Sequence, residues 1–285
     1  LENLPDTSKL NDCTERSPCP KCNRSVKFFC YKCLIPVGMK PEDLPELDPL
    51  PTHLDIIKHN KEVDGKSTAL HAKILAPKSV SIWSYPDDLP EVENPENCLL
   101  LFPGPNSITI EEAMKRIKEK NSKNKEEVQS SEETSNTNNA KIERIVVIDG
   151  TWSQANAMVL YSPLISKFQK VQFTYPYTTT FWRYQKFSEN YLATIEAIYF
   201  FYREYLNFSE IKYDLNLDNI LYFYKYFYDL IQDRYNNNRG LKFCHRHKGF
   251  VKYRDGEEGE TTATNSEVNS DADTKEETVK KTKLN

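Results

Sequence analysis

Ile145-Val-Val-Ile-Asp-Gly-Thr-Trp152 is the most informative stretch of the chain. Its first four residues are apolar and β-branched, which is typical of a strand buried on both faces of a parallel sheet. The strand is predicted to stop at an acid, a glycine, a hydroxyl and an indole. Ligands of open α/β sheets bind beyond the carboxyl ends of the strands, so Asp149, Thr151 and Trp152 are predicted to lie at a ligand site.

Similar patterns recur on both sides of this stretch. We predict strands at 54–58, 80–85, 99–102, 142–148 and 170–175, and helices at 110–118, 154–161, 191–206 and 217–235. Strands that alternate with helices indicate an α/β fold in which helices cover a mostly parallel sheet. The last two helices are rich in Tyr and Phe. We interpret them as core, with a base-stacking surface as the alternative.

Composition divides the chain into four segments. Residues 1–18 are polar and predicted to be flexible, 19–37 contain a cysteine cluster, and 38–250 form the main folded body. Residues 251–285 lose apolar residues to Gly, Glu, Thr, Ser and Asp and are predicted to be a disordered acidic tail. Within the body, residues 119–141 contain Val128 as their only large apolar residue, so we predict a disordered insertion there.

Charge and hydropathy narrow the class of protein. The chain has a net charge of −4, of which residues 1–18 carry −2 and residues 255–285 carry −5, leaving +3 for residues 19–254. A mildly basic body fits a nucleic-acid partner, although ordinary solvated surface fits equally well. No apolar run approaches 18 residues, so no membrane span is predicted. No secretory signal pattern is seen, and we expect an intracellular protein.

Four of the seven cysteines form two CxxC pairs separated by seven residues, Cys19-Pro-Lys-Cys22 and Cys30-Tyr-Lys-Cys33. Two such pairs can direct four thiolates at one tetrahedral ion, so Cys19, Cys22, Cys30 and Cys33 are predicted to hold a structural zinc. The alternatives are a redox dithiol, which needs only one pair, or unligated cysteines. Basic residues that can contact RNA backbone surround the cluster: Lys21, Arg24, Lys27 and Lys32.

A second apolar strand ends in the rigid loop Leu99-Leu-Leu-Phe-Pro-Gly-Pro105. Free backbone groups at Phe102, Pro103, Gly104 and Pro105 can hold the polar edges of a cofactor, or the loop can be a simple connector. No G-x-G-x-x-G follows any strand, which argues against the common dinucleotide-binding fingerprint.

Two later motifs add charged groups, Phe181-Trp-Arg183 and Leu192-Ala-Thr-Ile-Glu-Ala197. Arg183 can clamp a phosphate or a carboxylate, or it can form a surface salt bridge. Glu196 lies on a helix face that is otherwise apolar, so its carboxylate needs a partner. It can receive a ligand amine, cap the helix or pair with Arg183.

Together these motifs resemble the DTW-domain family of tRNA-uridine aminocarboxypropyltransferases, whose signature is Asp-x-Thr-Trp. The resemblance runs from about Cys19 to Glu196 and includes Ile56-Ile-Lys-His59, Glu62 and Lys66-Ser-Thr68. Ala193 and Asn60 depart from the usual Ser and Pro, and Ala193 puts one hydroxyl contact in doubt. The resemblance implies a SPOUT-like sheet, with a knot left open. Such folds often dimerise, and both a monomer and a dimer remain open here.

The resemblance also implies a reaction. The 3-amino-3-carboxypropyl group of S-adenosylmethionine is transferred to N3 of a tRNA loop uridine, and 5′-methylthioadenosine is released. Asp149 is the expected base, assisted by Arg183 and Glu196. The RNA contacts are expected from His59, Trp182 and Arg183. The S-adenosylmethionine contacts are expected from Phe102, Pro103, Gly104, Pro105, Asp149, Thr151, Trp152, Thr194 and Glu196.

Two other functions stay open at this point, a SPOUT-type RNA methyltransferase and a zinc-containing RNA-binding protein without activity. The combination of a cysteine knuckle with a long insertion before the Asp-x-Thr-Trp strand resembles eukaryotic members of the family. That resemblance favours the nucleus over the cytosol.

Overall fold

The computed structural model describes residues 4–128, 142–181, 190–209 and 211–241. Its centre is a six-stranded sheet in which every strand pair is parallel. Its strands are β5 His53–His59, β6 Val80–Tyr85, β7 Cys98–Leu101, β8 Ile108–Thr109, β9 Arg144–Asp149 and β10 Gln169–Gln172. Their spatial order is β6, β5, β9, β7, β10 and β8. The predicted α/β fold with a parallel sheet is confirmed.

Five helices accompany the sheet in the described part of the chain. They are α1 Leu70–Leu75, α2 Ile110–Val128, α3 Trp152–Tyr161, α4 Thr194–Phe208 and α5 Tyr222–Asn237, with a 3-10 turn at Leu217–Leu221 before α5. None of them is both long and apolar enough to cross a membrane.

Strand β9 explains why its residues are so uniformly apolar. Ile145 and Val147 face one core cluster with Tyr199 and Phe201 of α4, whereas Val146 faces a second cluster with Met158 of α3. Successive side chains of a strand point to opposite faces, so a strand covered on both sides needs apolar residues at every position. Its register places Asp149 beside Lys58 at the end of β5.

Tyr and Phe of the last two helices fill the core, as interpreted from the sequence. Six of these rings are less than 2 % exposed: Tyr199, Tyr202, Tyr205, Phe201, Tyr222 and Phe223. Because each aromatic ring buries a large area, these rings fill the space between the two helices and a sheet whose own side chains are of moderate size.

The structure differs from the sequence-based expectation at the amino-terminal end. Residues 4–18, expected to be flexible, are tied to the core by Leu10 and Cys13, which are 0 % and 6 % exposed. The Cys13 thiol donates to the carbonyl of Gly38 at 2.9 Å, and strand β1 (Ser17–Pro18) pairs with β2 (Ser25–Val26). A few buried residues, with Leu4 also packed against the core, anchor a segment that is polar on average.

Helix α2 also differs, because it continues to Val128 and so runs into the predicted insertion that begins at 119. Ion pairs one turn apart, Glu111 with Lys115 and Glu112 with Arg116, support its first turns. The Glu and Lys residues that follow have high helix propensity but provide no apolar periodicity. A prediction based on hydrophobic periodicity therefore assigns them to a loop. Residues 129–141 and the predicted tail, 251–285, lie outside the described residues.

Candidate active site

The carboxylate of Asp149 is the centre of the site. It ends β9, is 3 % exposed, and accepts two hydrogen bonds from hydroxyl groups of distant segments. Ser67 Oγ donates to Oδ2 at 2.7 Å, and Thr194 Oγ1 donates to Oδ1 at 2.8 Å. A nearby backbone contact, Ile195 N to Thr68 Oγ1 at 3.2 Å, fixes the start of α4 against the same turn. The structure thus joins the Lys66-Ser-Thr68, Asp-x-Thr-Trp and Thr-Ile-Glu-Ala motifs.

Burial controls the acidity of Asp149. Removal from water raises the pKa of this carboxyl, while the hydroxyl donors of Ser67 and Thr194 and the charge of Lys58 lower it, and the net pKa lies above 3.8. A carboxylate with a raised pKa holds a proton more tightly and is a stronger base than an exposed one.

Lys58 is the basic neighbour that the sequence analysis did not single out. It is paired with Asp149 in the β5–β9 register, and its side chain is 12 % exposed. Its ammonium lies 3.0 Å from Asp64 Oδ1 and also donates to the carbonyl of Glu62. A lysine at the end of a strand is usually interpreted as a solvent-exposed surface residue. Its position next to His59, on the strand beside β9, was the available signal.

Thr151 and Gly150 shape the turn after Asp149. The Thr151 hydroxyl accepts from Gln154 N at 3.3 Å, and Gln154 Oε1 accepts from Thr151 N at 2.8 Å, so this pair caps α3. A Cβ at Gly150 would lie 3.0 Å from Gln154 Oε1 and 3.4 Å from His59 Cβ. The glycine therefore lets the end of β5 approach the capped turn closely.

Trp152 is half-buried and forms one wall of a cavity of about 180 Å³ at the carboxyl end of the sheet. The ring of Tyr191 meets Trp152 edge-on at 4.7 Å, and Phe102 lies 6.2 Å away. Thr194 lines the same cavity, which places it beside the Asp149 contact. We refer to it below as the Trp152 cavity.

The Pro-Gly-Pro loop contributes unequally. Phe102 and Pro103 line the Trp152 cavity, whereas Pro105 lines a larger cavity of about 460 Å³ near the amino ends of β7 and β10. Gly104 is exposed, and its carbonyl accepts from Ser107 Oγ at 2.8 Å. Half of the predicted loop contacts are thus brought to the site.

Glu196 is buried and fully engaged by its own chain. Its carboxylate accepts from Ala193 N at 2.7 Å, Thr179 Oγ1 at 2.6 Å, Thr180 N at 2.8 Å and Thr180 Oγ1 at 3.1 Å. This geometry matches the helix-capping alternative that the sequence left open, with the carboxylate also holding the 179–180 segment.

The residues expected to contact RNA are only partly described. His59 lies at the end of β5, half-buried, and its Nδ1 accepts from Lys61 N at 3.1 Å. Trp182 and Arg183 lie outside the described residues, so their predicted roles stay predictions.

The four cysteines come together as predicted. All four Sγ atoms lie within 4.8 Å of one another. Both pairs use the same turn, in which Asn23 N and Leu34 N each bond the carbonyl of the first cysteine at 2.8 Å, with positive φ at both residues. Tetrahedral Zn–S bonds of about 2.3 Å require this kind of convergence. The residues therefore fit a zinc ion.

The cysteine hairpin packs on the last helix through aromatic rings. Phe28 of β3 (Phe28–Cys30), which pairs with β4 (Ile35–Val37), lies 5.1 Å from Tyr226, and Phe29 lies 4.9 Å from Phe223. These contacts attach the hairpin to α5.

The DTW domain family matches residues 27–232 of this chain. The chain belongs to the DTW domain family. A mouse protein named tRNA-uridine aminocarboxypropyltransferase 1 is 39% identical over 76% of this chain and 78% of its own length. Proteins of the same name from Homo sapiens and Xenopus tropicalis are 37% and 36% identical, covering 78% and 80% of their own lengths and 76% of this chain. No solved structure matches the chain.

The signature of the DTW domain thus separates into three roles in this structure. Asp149 supplies a buried carboxylate, Thr151 caps the following helix, and Trp152 forms a cavity wall.

Proposed function

We propose that this DTW-domain protein transfers the 3-amino-3-carboxypropyl group of S-adenosylmethionine to N3 of a tRNA loop uridine. The observation that carries the proposal is the buried Asp149 carboxylate, joined by Thr194 to the Trp152 cavity. The names of the relatives point to the same reaction.

The chemistry assigns a task to Asp149. The sulfonium of S-adenosylmethionine is already an activated leaving group, so catalysis consists mainly of orientation and proton removal. As uridine N3 forms its bond to the γ-carbon, the carbon–sulfur bond breaks and its electron pair stays on sulfur in 5′-methylthioadenosine. The N3 proton must then pass to a base. Asp149, with its raised pKa, is the group we assign to that role.

We assign the Trp152 cavity to a flat, apolar part of the donor. Trp152, Phe102 and Phe173 offer aromatic surface, and Thr194 adds a polar group. About 180 Å³ is less than the roughly 300–1,000 Å³ of typical ligand sites, so the cavity suits a ring rather than the whole cofactor.

Glu196 is better assigned to positioning than to contact with the donor, because its carboxylate already has four donors from the chain. It holds the start of α4, and with it Thr194, against the segment that leads to Trp182 and Arg183. We keep for Arg183 the expected role of clamping a carboxylate or phosphate, and for His59 and Trp182 contact with RNA.

We propose that zinc is structural. Four thiolates complete a tetrahedral site and leave no position open for a substrate. Its role is then to fold a short hairpin that buries few apolar side chains of its own. We also propose a SPOUT-like topology, with the knot left open, and a nuclear location, in line with the resemblance. Imaging of a tagged protein in cells tests the location.

The released nucleoside separates the proposed reaction from its closest rival. Aminocarboxypropyl transfer releases 5′-methylthioadenosine, whereas methyl transfer releases S-adenosylhomocysteine. Chromatography of a reaction containing protein, tRNA and S-adenosylmethionine should show the first compound, and accumulation of the second would overturn the proposal. Calorimetry that detects no S-adenosylmethionine binding would favour a non-catalytic RNA-binding protein.

A further inference from the structure

A third cavity, of about 190 Å³, lies between the cysteine hairpin, the turn before α1, and α5. It is lined chiefly by aromatic and hydroxyl-bearing side chains, namely Phe29, Tyr31, Ser67, Thr68, His71 and Phe227. We call it the His71 cavity. None of these residues was assigned a ligand by the sequence motifs.

The His71 and Trp152 cavities are linked through Asp149. Ser67 lines the His71 cavity and donates to Asp149 Oδ2, whereas Thr194 lines the Trp152 cavity and donates to Oδ1. A ligand in the His71 cavity would lie beside Ser67, which contacts a different oxygen of the carboxylate from Thr194. Since the reacting N3 must touch the donor, the His71 cavity suits a neighbouring group of the substrate.

His71 lines this cavity and carries a buried polar atom without a partner in the described part of the chain. Its side chain is 4 % exposed, and Nδ1 has no hydrogen-bond partner among the described residues. The ring is enclosed by Phe29 at 5.5 Å, Phe223 at 5.7 Å and Phe227 at 5.9 Å. A buried polar atom without a partner is destabilising, so a group that supplied a hydrogen bond to His71 would be favoured.

The rim of the cavity is aromatic and basic. Tyr31 is 40 % exposed and meets Phe29 edge-on at 5.3 Å, which holds its ring in place. Two exposed lysines are adjacent in sequence to residues that line the cavity. Lys32 follows Tyr31, and Lys66 precedes Ser67. A flat aromatic surface, one buried nitrogen and nearby cations together fit a nucleobase and its phosphate.

We propose that the His71 cavity receives a tRNA nucleobase other than the reacting uridine, stacked on Tyr31 with its edge toward His71. This inference rests on the proposed function, because it takes tRNA as the substrate. It gives the zinc hairpin a part in choosing the RNA, since Phe29 and Tyr31 come from that hairpin.

Binding of tRNA to the 285-residue chain tests the inference without requiring turnover. Tyr31→Ala should weaken tRNA affinity about tenfold, as expected for loss of one stacked base, and Tyr31→Phe should restore it. Affinity for S-adenosylmethionine should not change. Tyr161→Ala is the matched control, because Tyr161 is 73 % exposed and lines neither cavity. Unaltered tRNA affinity of Tyr31→Ala would overturn the inference.

A series of tRNAs with single abasic nucleotides identifies the stacked base. One position other than the modified uridine should weaken binding to the wild type yet cause no further loss in Tyr31→Ala, because both changes remove the same contact. Losses that add at every position would contradict the inference, as would non-additivity only at the modified uridine. His71→Gln should change the preferred base at that position.

The two proposals fail separately. Release of 5′-methylthioadenosine reports on the reaction, and the binding series reports on the cavity. Normal release together with tRNA binding that is insensitive to Tyr31 would overturn the cavity assignment alone. Sensitivity to Tyr31 without release would overturn the reaction alone.

Discussion

The hydroxyl of Thr194 donates to Asp149 across 45 positions of sequence, at 2.8 Å. This bond joins the carboxyl end of a central strand to the first residue of the helix that covers it. Asp149 ends β9 with its carboxylate buried, and the hydroxyls of Thr194 and Ser67 are what satisfy its oxygens. The site is therefore assembled by tertiary structure rather than by a single loop.

Asp149→Asn should make the protein more stable at neutral pH. The pKa of Asp149 is raised by burial, so the folded state keeps its proton at pH values where the unfolded chain has lost it. Ionisation therefore costs stability as pH rises from about 4 through the folded-state pKa, by about 1.4 kcal/mol per pH unit. Urea unfolding at pH 5 and pH 8 should show that the free energy of unfolding of the variant, relative to the wild type, is larger at pH 8 than at pH 5. Thr194→Val, which removes a donor but keeps the acid, should be less stable than the wild type. A loss of stability in Asp149→Asn that is larger at pH 8 would contradict the assignment.

Glu196→Gln should destabilise the fold by about 3 kcal/mol, because an amide turns a donor toward groups that already donate. Glu204→Gln is a matched control, since Glu204 is 2 % exposed and accepts from Thr174 N, Tyr175 N and the Tyr177 hydroxyl. Chemical unfolding should show similar losses in both variants. If Glu196 is a positioning residue, S-adenosylmethionine affinity should remain within a few fold of the wild type in the folded Glu196→Gln protein. A selective loss of S-adenosylmethionine binding in that variant, absent in Glu204→Gln, would indicate that Glu196 contacts the donor directly.

His71 should make stability fall in mild acid. Burial lowers its pKa to about 3, so between about pH 6.5 and pH 3 the unfolded chain binds a proton that the folded chain excludes. Stability is therefore retained above pH 6.5 and lost as pH falls, by about 2 kcal/mol between pH 7 and pH 5. His71→Gln should lack this part of the loss. Equal pH dependence of the two proteins in urea unfolding would show that His71 is not buried as neutral imidazole.

Zinc removal should loosen the contact between the hairpin and α5. The protein should contain one zinc ion per chain, and Cys22→Ser should lose it, while Cys98→Ala, outside the cluster, should retain it. Chelation should reduce the near-ultraviolet circular dichroism, because Phe28 and Phe29 lose their fixed contacts with Tyr226 and Phe223. Elemental analysis that finds no zinc in the purified wild type would contradict the proposal of a structural zinc ion.

Patterns within single segments predicted much of this fold. The five long strands of the sheet and four of the helices were expected from hydrophobic periodicity and turn residues, with boundaries shifted by a few residues except in α2. Such patterns need longer segments than helix α1, which has six residues, or strand β8, which has two. Helix α2 was predicted too short because charged residues form helix without an apolar face.

Contacts between segments could not be predicted from those patterns. Ser67 and Thr194 were known only as members of motifs, and their meeting on Asp149 depends on how β9, the turn before α1, and α4 pack. Glu196 was predicted to need a partner, but which partner depends on the position of the 179–180 segment. His71, an apparently ordinary helix residue, became notable only because three phenylalanine rings enclose it.

Mass spectrometry of nucleosides from tRNA incubated with protein and S-adenosylmethionine examines the assignment of Asp149 and of the reaction together. The wild type should produce uridine carrying an aminocarboxypropyl group, and Asp149→Asn, although folded, should form it at least about 100-fold more slowly, as expected for loss of a general base. A methylated uridine, no modified uridine, or full product from Asp149→Asn would contradict the mechanism.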